Sequence, residues 1–217
     1  YSGLAFLLFP SLIEQLTGED YRSYMRSHFY DPLGAEDLGY LPSKRLSSKR
    51  VVPTERDSLF RKALTQNYVH DENAALFGGV SGNAGLFSNA ASVYKILNMW
   101  LQGGSVGGRQ YFSPETIATF TAVQYPENNN RRGLGFDKPL LGNDSLPASE
   151  SYPAPSVSPE SYGHSGFTGT FVWVDPTHEL IYIFLSNRVY PYRTQRGIYT
   201  TNIRESLQEA IYKGLGI

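Results

Sequence analysis

Apolar residues recur at helical spacing from the start of the chain, where Leu4, Leu7, Leu8, Leu12, Ile13 and Leu16 share one face. Gly18 is a natural stop after Thr17. Pro10 falls inside this run, and a proline there removes a hydrogen bond and kinks the axis, so the pattern predicts a bend or a helix that begins later. A second helix is predicted over 19–29, with Tyr21, Tyr24, Met25 and His28 on one face and Asp31-Pro32-Leu33-Gly34 ending it. Residues 41–70 are polar and without period. Ser88 reads as the cap of a helix over 89–101, whose apolar face holds Val93, Ile96, Leu97, Trp100 and Leu101 and which Gly103-Gly104 closes. Ser113-Pro114-Glu115 opens another helix, running to about Thr121.

The second half of the chain changes period. Residues 133–136 read as a short strand, and 138–162, rich in Pro, Ser and Gly, as a long loop of the functional or mobile kind. Strands are predicted over 171–175 and 180–186, joined by a turn at Pro176-Thr177-His178-Glu179. The later strand is apolar on both faces, which predicts a central, covered position. Asn202-x-x-Glu205 reads as a capping box ahead of a last helix with Ile203, Leu207, Ala210 and Ile211 in one stripe. No internal repeat or interdomain linker is visible. With 217 residues, 41% of them hydrophobic, the chain can bury one core or two packed lobes.

Nineteen basic and 20 acidic residues leave a net charge of −1 with no long block of either sign, which argues against nucleic acid and anionic membranes as partners. Lys44-Arg45 and Lys49-Arg50 read as a solvated loop. Cysteine is absent, so there is no disulfide framework and no thiolate chemistry, which suits a cytoplasm and a bacterial periplasm equally. The 16 Tyr and 12 Phe suit a sugar- or peptide-facing cleft, or, as the plainer reading, an aromatic core. No apolar stretch approaches the ~20 residues that span a bilayer. No signal peptide is seen, as expected of a chain that starts inside a domain. Val69-His70-Asp71-Glu72-Asn73 has no second histidine at helical spacing, so it is read as shaping a cleft wall; no metal or cofactor is expected.

The richest stretch is Gly163-His164-Ser165-Gly166-Phe167-Thr168-Gly169-Thr170, with a hairpin directly behind it. Beside Tyr1-Ser2-Gly3 and Gly78-Gly79-Val80-Ser81-Gly82-Asn83-Ala84-Gly85-Leu86, it resembles the back half of a serine β-lactamase or penicillin-binding-protein type active site. Phe87-Ser88, Gly133-Leu134-Gly135-Phe136 and Trp173-Val174-Asp175-Pro176 bring the likeness closest to class C type hydrolases, and within these to the domains appended to bacterial family 3 glycoside hydrolases. The resemblance implies an α+β fold: an antiparallel sheet flanked by helices, with a helical lobe, incomplete at the N-terminus. The chain would be the C-terminal part of one such domain, with 1–130 mostly helical lobe and 131–217 the last strands, hairpin and closing helix.

By the same resemblance, the nucleophile belongs to a Ser-x-x-Lys motif upstream of the tyrosine, and that motif is not in this sequence. Tyr1 would be the proton-moving tyrosine, or simply a frayed terminus, with Gly3 where the family has asparagine. The third motif falls on His164-Ser165-Gly166, which in this resemblance begins a strand ahead of the hairpin. The N–H of Phe167 would be one oxyanion donor, and Ser165, Gly166, Thr168 and Gly169 would line the substrate. His164 stands where lysine is common, implying weaker capture of a substrate carboxylate and sharper pH dependence. The literal Ser92-Val93-Tyr94-Lys95 lies after the tyrosine, against the family order, and is read as coincidence. Gly163-His164-Ser165-Gly166-Phe167 only nearly matches the nucleophile elbow of α/β-hydrolases.

The function implied is acyl transfer on small molecules or cell-wall peptides, periplasmic or in the cell envelope, and inactive in this piece alone. The competing reading is a non-catalytic module that binds peptidoglycan or a glycoside hydrolase domain of the parent chain. A sheet lacking its early strands should expose an edge, so self-association or a rearranged edge is expected.

Overall fold

The structure is a computed structural model and describes residues 2–217. The chain divides into two compact units, Tyr1–Ile96 with Asn187–Gln195, and Leu97–Ser186 with Arg196–Ile217.

In the first unit a 3-10 turn, Leu4–Leu8, precedes helix α1 (Phe9–Thr17). Pro10 thus sits in the first turn of a helix that begins late, where its missing N–H is not needed. Gly18 closes α1 at φ 75° and donates to the Glu14 carbonyl at 2.9 Å. None of α1 is buried, and Leu8, Leu12 and Leu16 remain exposed. Helix α2 (Tyr21–Met25) is capped by Asp20, which accepts the Ser23 N–H at 3.0 Å, and runs on as a π-helical turn, Arg26–Tyr30. Tyr30, Ala35 and Leu38 form a small core with Met25, Phe29, Val93 and Ile96 against them. His28 is exposed, 3.4 Å from Glu19.

Residues 41–70 are more ordered than their sequence suggests. Strands β1 (Glu55–Asp57) and β2 (Ala63–Thr65) form an antiparallel ribbon. Three residues per strand are too few to show a period. Asp57 holds the intervening turn by accepting the N–H groups of Leu59, Phe60 and Arg61. Helix α3 (Glu72–Leu76), not foreseen, is capped by Asp71.

Buried Glu55 is the hub of this unit. It lies 2.7 Å from His70 Nε2 and accepts Arg193 Nε at 2.8 Å, Arg193 Nη2 at 2.8 Å and the Arg193 N–H at 3.0 Å. Burial pushes its carboxyl up, but the Arg193 and His70 hydrogen bonds outweigh that and hold it below the usual carboxylate range.

Helix α4 (Ala90–Leu101) contains the boundary between the units. Its cap is Asn89, not Ser88: Asn89 Oδ1 accepts the Ser92 N–H at 2.9 Å. Gly103 and Gly104 close it with positive φ.

In the second unit a small hairpin, β3 (Ser105–Val106) and β4 (Arg109–Gln110), leads to α5 (Pro114–Thr121), capped as expected by Ser113. The main sheet has the antiparallel order β5 (Tyr162–Ser165), β6 (Phe171–Asp175), β7 (Leu180–Phe184). One face buries Phe171, Trp173 and Tyr182 with Ala154, Val157 and Tyr212. On the other, Tyr162 meets Phe136 edge-on at 5.2 Å, and Phe136 meets Trp100 at 5.0 Å. Three expectations fail here. Residues 133–136 form a turn, closed by Gly133 N–H to the Phe136 carbonyl, rather than a strand. The third-motif residues end β5 rather than begin a strand. And β7 is not central: among the described residues β6 is the middle strand, because an apolar run reports covered faces and not paired edges.

Helix α6 (Gly197–Thr200) and the closing α7 (Ile203–Leu215) follow. No capping box forms. Asn202 is left-handed at φ 48° and its side-chain amide donates to the Ala148 carbonyl, while Glu205 is buried beside Arg204. The helix buries Arg204, Glu205, Gln208, Glu209 and Tyr212 and leaves Ile203, Leu207, Ile211 and Leu215 exposed, so its apolar stripe faces outward.

Two stability outcomes follow. A Cβ on Gly163 would lie 2.1 Å from the Val172 carbonyl oxygen and 2.3 Å from the Trp173 ring. Gly163→Ala should therefore cost at least about 2 kcal/mol in urea unfolding followed by tryptophan fluorescence. Arg193→Ala, which strands the Glu55 carboxylate, should cost roughly 2–4 kcal/mol by the same measurement, with less than half recovered by Arg193→Lys. A loss below about 0.5 kcal/mol in either, the usual range for a surface change, would refute the packing described.

Candidate active site

His164 is the third residue of β5, on the sheet face it shares with Tyr162 and, by register, Val172 and Val174. Next to it, Gly163 pairs both ways with Asp137: the Asp137 N–H donates to the Gly163 carbonyl at 2.8 Å, and the Gly163 N–H to the Asp137 carbonyl at 3.0 Å. This single bridge lays residues 131–138 along the outer edge of β5. The Asp137 side chain, 6% exposed, forms an ion pair with Arg132, lies 3.5 Å from Arg131 and accepts the Tyr152 hydroxyl at 3.0 Å. Burial pushes the Tyr152 phenol up, with Ser165 and Arg131 opposing, so it stays protonated as the donor to Asp137.

Arg132 Nη2 is 3.1 Å from His164 Nε2. A guanidinium only donates, so Nε2 accepts and the ring proton is assigned to Nδ1, which donates to the Ser165 carbonyl at 2.8 Å. Burial holds the His164 pKa below its usual value; the Ser165 carbonyl opposes this, and Arg132 and Arg131 add to it. The imidazole is therefore neutral at neutral pH, and a permanent cation stands beside it.

Beyond Ser165 the chain turns sharply. The Gly166 N–H donates to the Thr170 carbonyl at 2.8 Å and the Gly169 N–H to the Gly166 carbonyl at 2.9 Å; Ser186 Oγ holds the Gly169 carbonyl at 2.9 Å. A Cβ on Gly166 would fall 2.3 Å from Thr170 Oγ1, so only glycine fits without displacement. Phe167 is exposed at the turn's tip, Thr168 half-buried and Gly169 buried. The structure thus brings His164, Ser165, Gly166, Phe167, Thr168 and Gly169 together as one strand end and turn. Tyr1 lies outside the described residues. Arg132, Asp137 and Tyr152 escaped the sequence reading. The signal was Arg131-Arg132 directly before Gly133, just ahead of the stretch read as a strand.

In the first unit, taken by itself, the Gly78–Leu86 run is a tight loop. Gly79 and Gly85 have positive φ, and Cβ atoms there would meet Leu41 at 2.8 Å and the Gly79 carbonyl oxygen at 2.7 Å. The Tyr40 hydroxyl donates to the Ser81 carbonyl at 2.9 Å, and Ser81 Oγ to Asn83 Oδ1 at 2.6 Å. Ser92 is buried and its Oγ accepts the Asp37 N–H at 3.3 Å, while Lys95 is exposed, which suits a packing serine better than a nucleophile. Among the described residues no group of three or more His, Cys, Asp and Glu side chains is placed to hold a metal ion, and no helix is long and apolar enough to cross a membrane.

The profile of the Beta-lactamase family matches residues 1–204. A protein of Escherichia coli O157:H7 named "Putative D-alanyl-D-alanine carboxypeptidase" is 32% identical over 200 residues, which cover 87% of this chain and 44% of that one. The chain thus spans less than half the length of the curated relative it matches. Among solved structures, a beta-lactamase from Mycobacterium bovis superposes with a TM-score of 0.63 at 19% identity, over 99% of this chain and 63% of the other. Simvastatin synthase from Aspergillus terreus gives 0.63 at 18%, over 94% and 52%. The chain belongs to the beta-lactamase family and has its α+β, β-lactamase/transpeptidase-like fold.

The His164 geometry has a thermodynamic consequence. The folded site binds a proton less readily than the unfolded chain, so this residue costs stability as pH falls below its ordinary value of about 6.5 and costs nothing above it. The loss of Tm between about pH 7.5 and pH 5 should therefore be smaller in His164→Gln than in the parent chain. Equal losses would show an unshifted imidazole.

Proposed function

We propose that this member of the beta-lactamase family supplies the strand-and-turn side of a serine hydrolase site. The enzyme would work by acyl transfer on peptide or ester carbonyls in the cell envelope, with the attacking serine outside these 217 residues. One observation carries the reading: the third-motif residues stand at the end of β5 and pass straight into a glycine turn with an exposed tip. An extended substrate can lie along such a strand end, and the missing Cβ of Gly166 allows close approach. In this reading the Phe167 N–H is one oxyanion donor, and His164, Ser165, Thr168 and Gly169 line the substrate.

The name of the E. coli relative supports a peptide-cleaving branch and an envelope location. Kinship with class C type enzymes and with glycosidase-appended domains belongs to the same proposal. Acyl transfer needs a nucleophile with a base in reach, and Ser92, buried and spent on Asp37, does not offer one.

The test is fluorophosphonate labelling read by intact mass. The 217-residue chain should remain unlabelled. A polypeptide carrying the same residues behind a Ser-x-x-Lys segment should take one label, on that serine, and lose at least about tenfold in labelling rate with Gly166→Val, which crowds the oxyanion side. Stoichiometric labelling of Ser92, or of any serine in the short chain, would overturn the proposal.

A further inference from the structure

We infer that the first unit carries a ligand site of its own, a small cavity that takes a phosphoryl group, either free phosphate or the phosphomonoester end of a larger molecule. Arg45 is its centre, with Arg22, Arg26 and Lys44 around it. The site lies wholly within the first unit and owes nothing to the acyl-transfer reading.

Local structure brings the four cations together. Arg22 and Arg26 stand four residues apart on α2 and its π-helical continuation, so they share a face. The other two follow Leu41, a non-glycine residue held at φ 49°, which opens the 3-10 turn Pro42–Lys44. Strain of this kind persists only where the surroundings fix it. Here Gly39 pairs both ways with Phe87, and Arg45 Nε donates to the Tyr40 carbonyl at 3.1 Å. The Arg45 guanidinium lies against Gly39, where a Cβ would come 3.2 Å from Cζ and 3.3 Å from Nη2. The resulting cavity, about 110 Å³, is lined by all four cationic side chains together with Gly39 and Tyr30. Drug-sized ligands occupy roughly 300–1,000 Å³, so this cavity suits a small ion or a head group.

Charge and an unmet donor name the ligand. Lys44 is solvated, as its sequence suggests, but Arg45 is half-buried, and its Nη2 is buried with no acceptor among the described residues. A buried donor in that state costs free energy that a ligand oxygen would recover. Arg22 and Arg26 pair with Asp20 at 3.6 Å and Asp31 at 3.0 Å, but all four side chains are about half exposed, and such pairs are weak. Asp37, the other carboxylate near Arg45, is held by Arg50 at 3.2 Å and by the Asn89 amide at 2.7 Å. Four cations against the carboxylates of Asp20 and Asp31 leave about two positive charges, close to the opposite charge of a phosphomonoester at neutral pH. A singly charged carboxylate would leave half of that unmet. Burial holds the Arg45 pKa below its usual value, with Arg26 adding to this and Asp37 opposing, yet a guanidinium stays charged. Three of the four cations are arginines, whose forked donors match phosphate oxygens.

The experiment is an NMR titration of the 217-residue chain at pH 7.5 and fixed ionic strength, reading the Gly39 backbone amide and the Arg45 Nε–H. The probes are inorganic phosphate, glycerol 1-phosphate and, as the singly charged control, acetate. Phosphate and the ester should shift both signals saturably, and acetate should bind at least about tenfold more weakly. An ester that binds as tightly as phosphate or tighter would mark a head group carried on a larger molecule; a weaker ester would mark free phosphate; either supports the inference. Arg45→Gln should weaken phosphate at least about tenfold and Arg45→Lys about threefold, whereas Lys49→Gln, the same change of net charge at an exposed neighbour, should change it less than about twofold. Arg45→Lys keeps the charge and guards against a folding artefact in the glutamine variant. The inference is overturned if neither phosphate nor the ester saturates, if acetate binds as well as they do, if Arg45→Gln binds as the parent chain does, or if Lys49→Gln loses as much as Arg45→Gln.

Discussion

A single buried carboxylate, Asp137, holds the candidate site in shape. A carboxylate so little exposed is costly unless its oxygens are met, and here they are met by Arg132, by the Tyr152 hydroxyl and at longer range by Arg131. Its backbone is pinned at the same point by the two-way pairing with Gly163. One residue thus fixes a strand edge, two cations and a phenol. Arg132 faces His164 because Asp137 faces Gly163. A positively charged site is built around a negative residue, which sets where the positive charge can stand.

The same economy of buried polar groups explains the reversed closing helix. The long segment ahead of β5 has almost no ladder partners, so its N–H groups need side-chain acceptors. Helix α7 provides them: Gln208 accepts the Ala154 N–H at 3.3 Å, and Glu209 accepts the Ser156 N–H and hydroxyl at 3.1 and 3.0 Å. The Tyr212 hydroxyl donates at 2.7 Å to Asp175, which also accepts the Ser158 N–H at 2.9 Å and its hydroxyl at 2.6 Å. The helix turns its polar face inward because that is where unpaired backbone lies, and its leucines and isoleucines are left outside. In the first unit Glu55 plays the matching part, holding Arg193 from 138 residues away in sequence.

What could be read from the chain follows from which forces leave a local signature. Proline, glycine and serine at helix ends act within a few residues, so the late start at Pro10, the stop at Gly18 and the cap at Ser113 were legible. The β6–β7 hairpin was legible from its apolar runs. Edge position was not, since pattern records which faces are covered. Nor was the inward polar face of α7, which depends on a loop some fifty residues earlier. The glycine turn of the site announced itself, while its charges did not: Arg132 reaches His164 through a bridge between residues 26 apart, and no local spacing encodes that.

The relation between Arg132 and His164 also decides what kind of site a histidine makes here. Were His164 protonated, Nε2 would lose its lone pair and become a donor facing a donor. Burial is the largest cost of that charged form, and like charges set side by side with Arg132 and Arg131 add to it. Against this stand the Ser165 carbonyl, with a hydrogen bond worth about 1 to 2 kcal/mol, and the partial screening by Asp137. Burial adds to the repulsion rather than to the screening. The balance favours the neutral ring. With the ring neutral, the permanent positive charge beside this strand end is the guanidinium that the neighbouring segment carries, and the imidazole accepts from it and helps fix its direction.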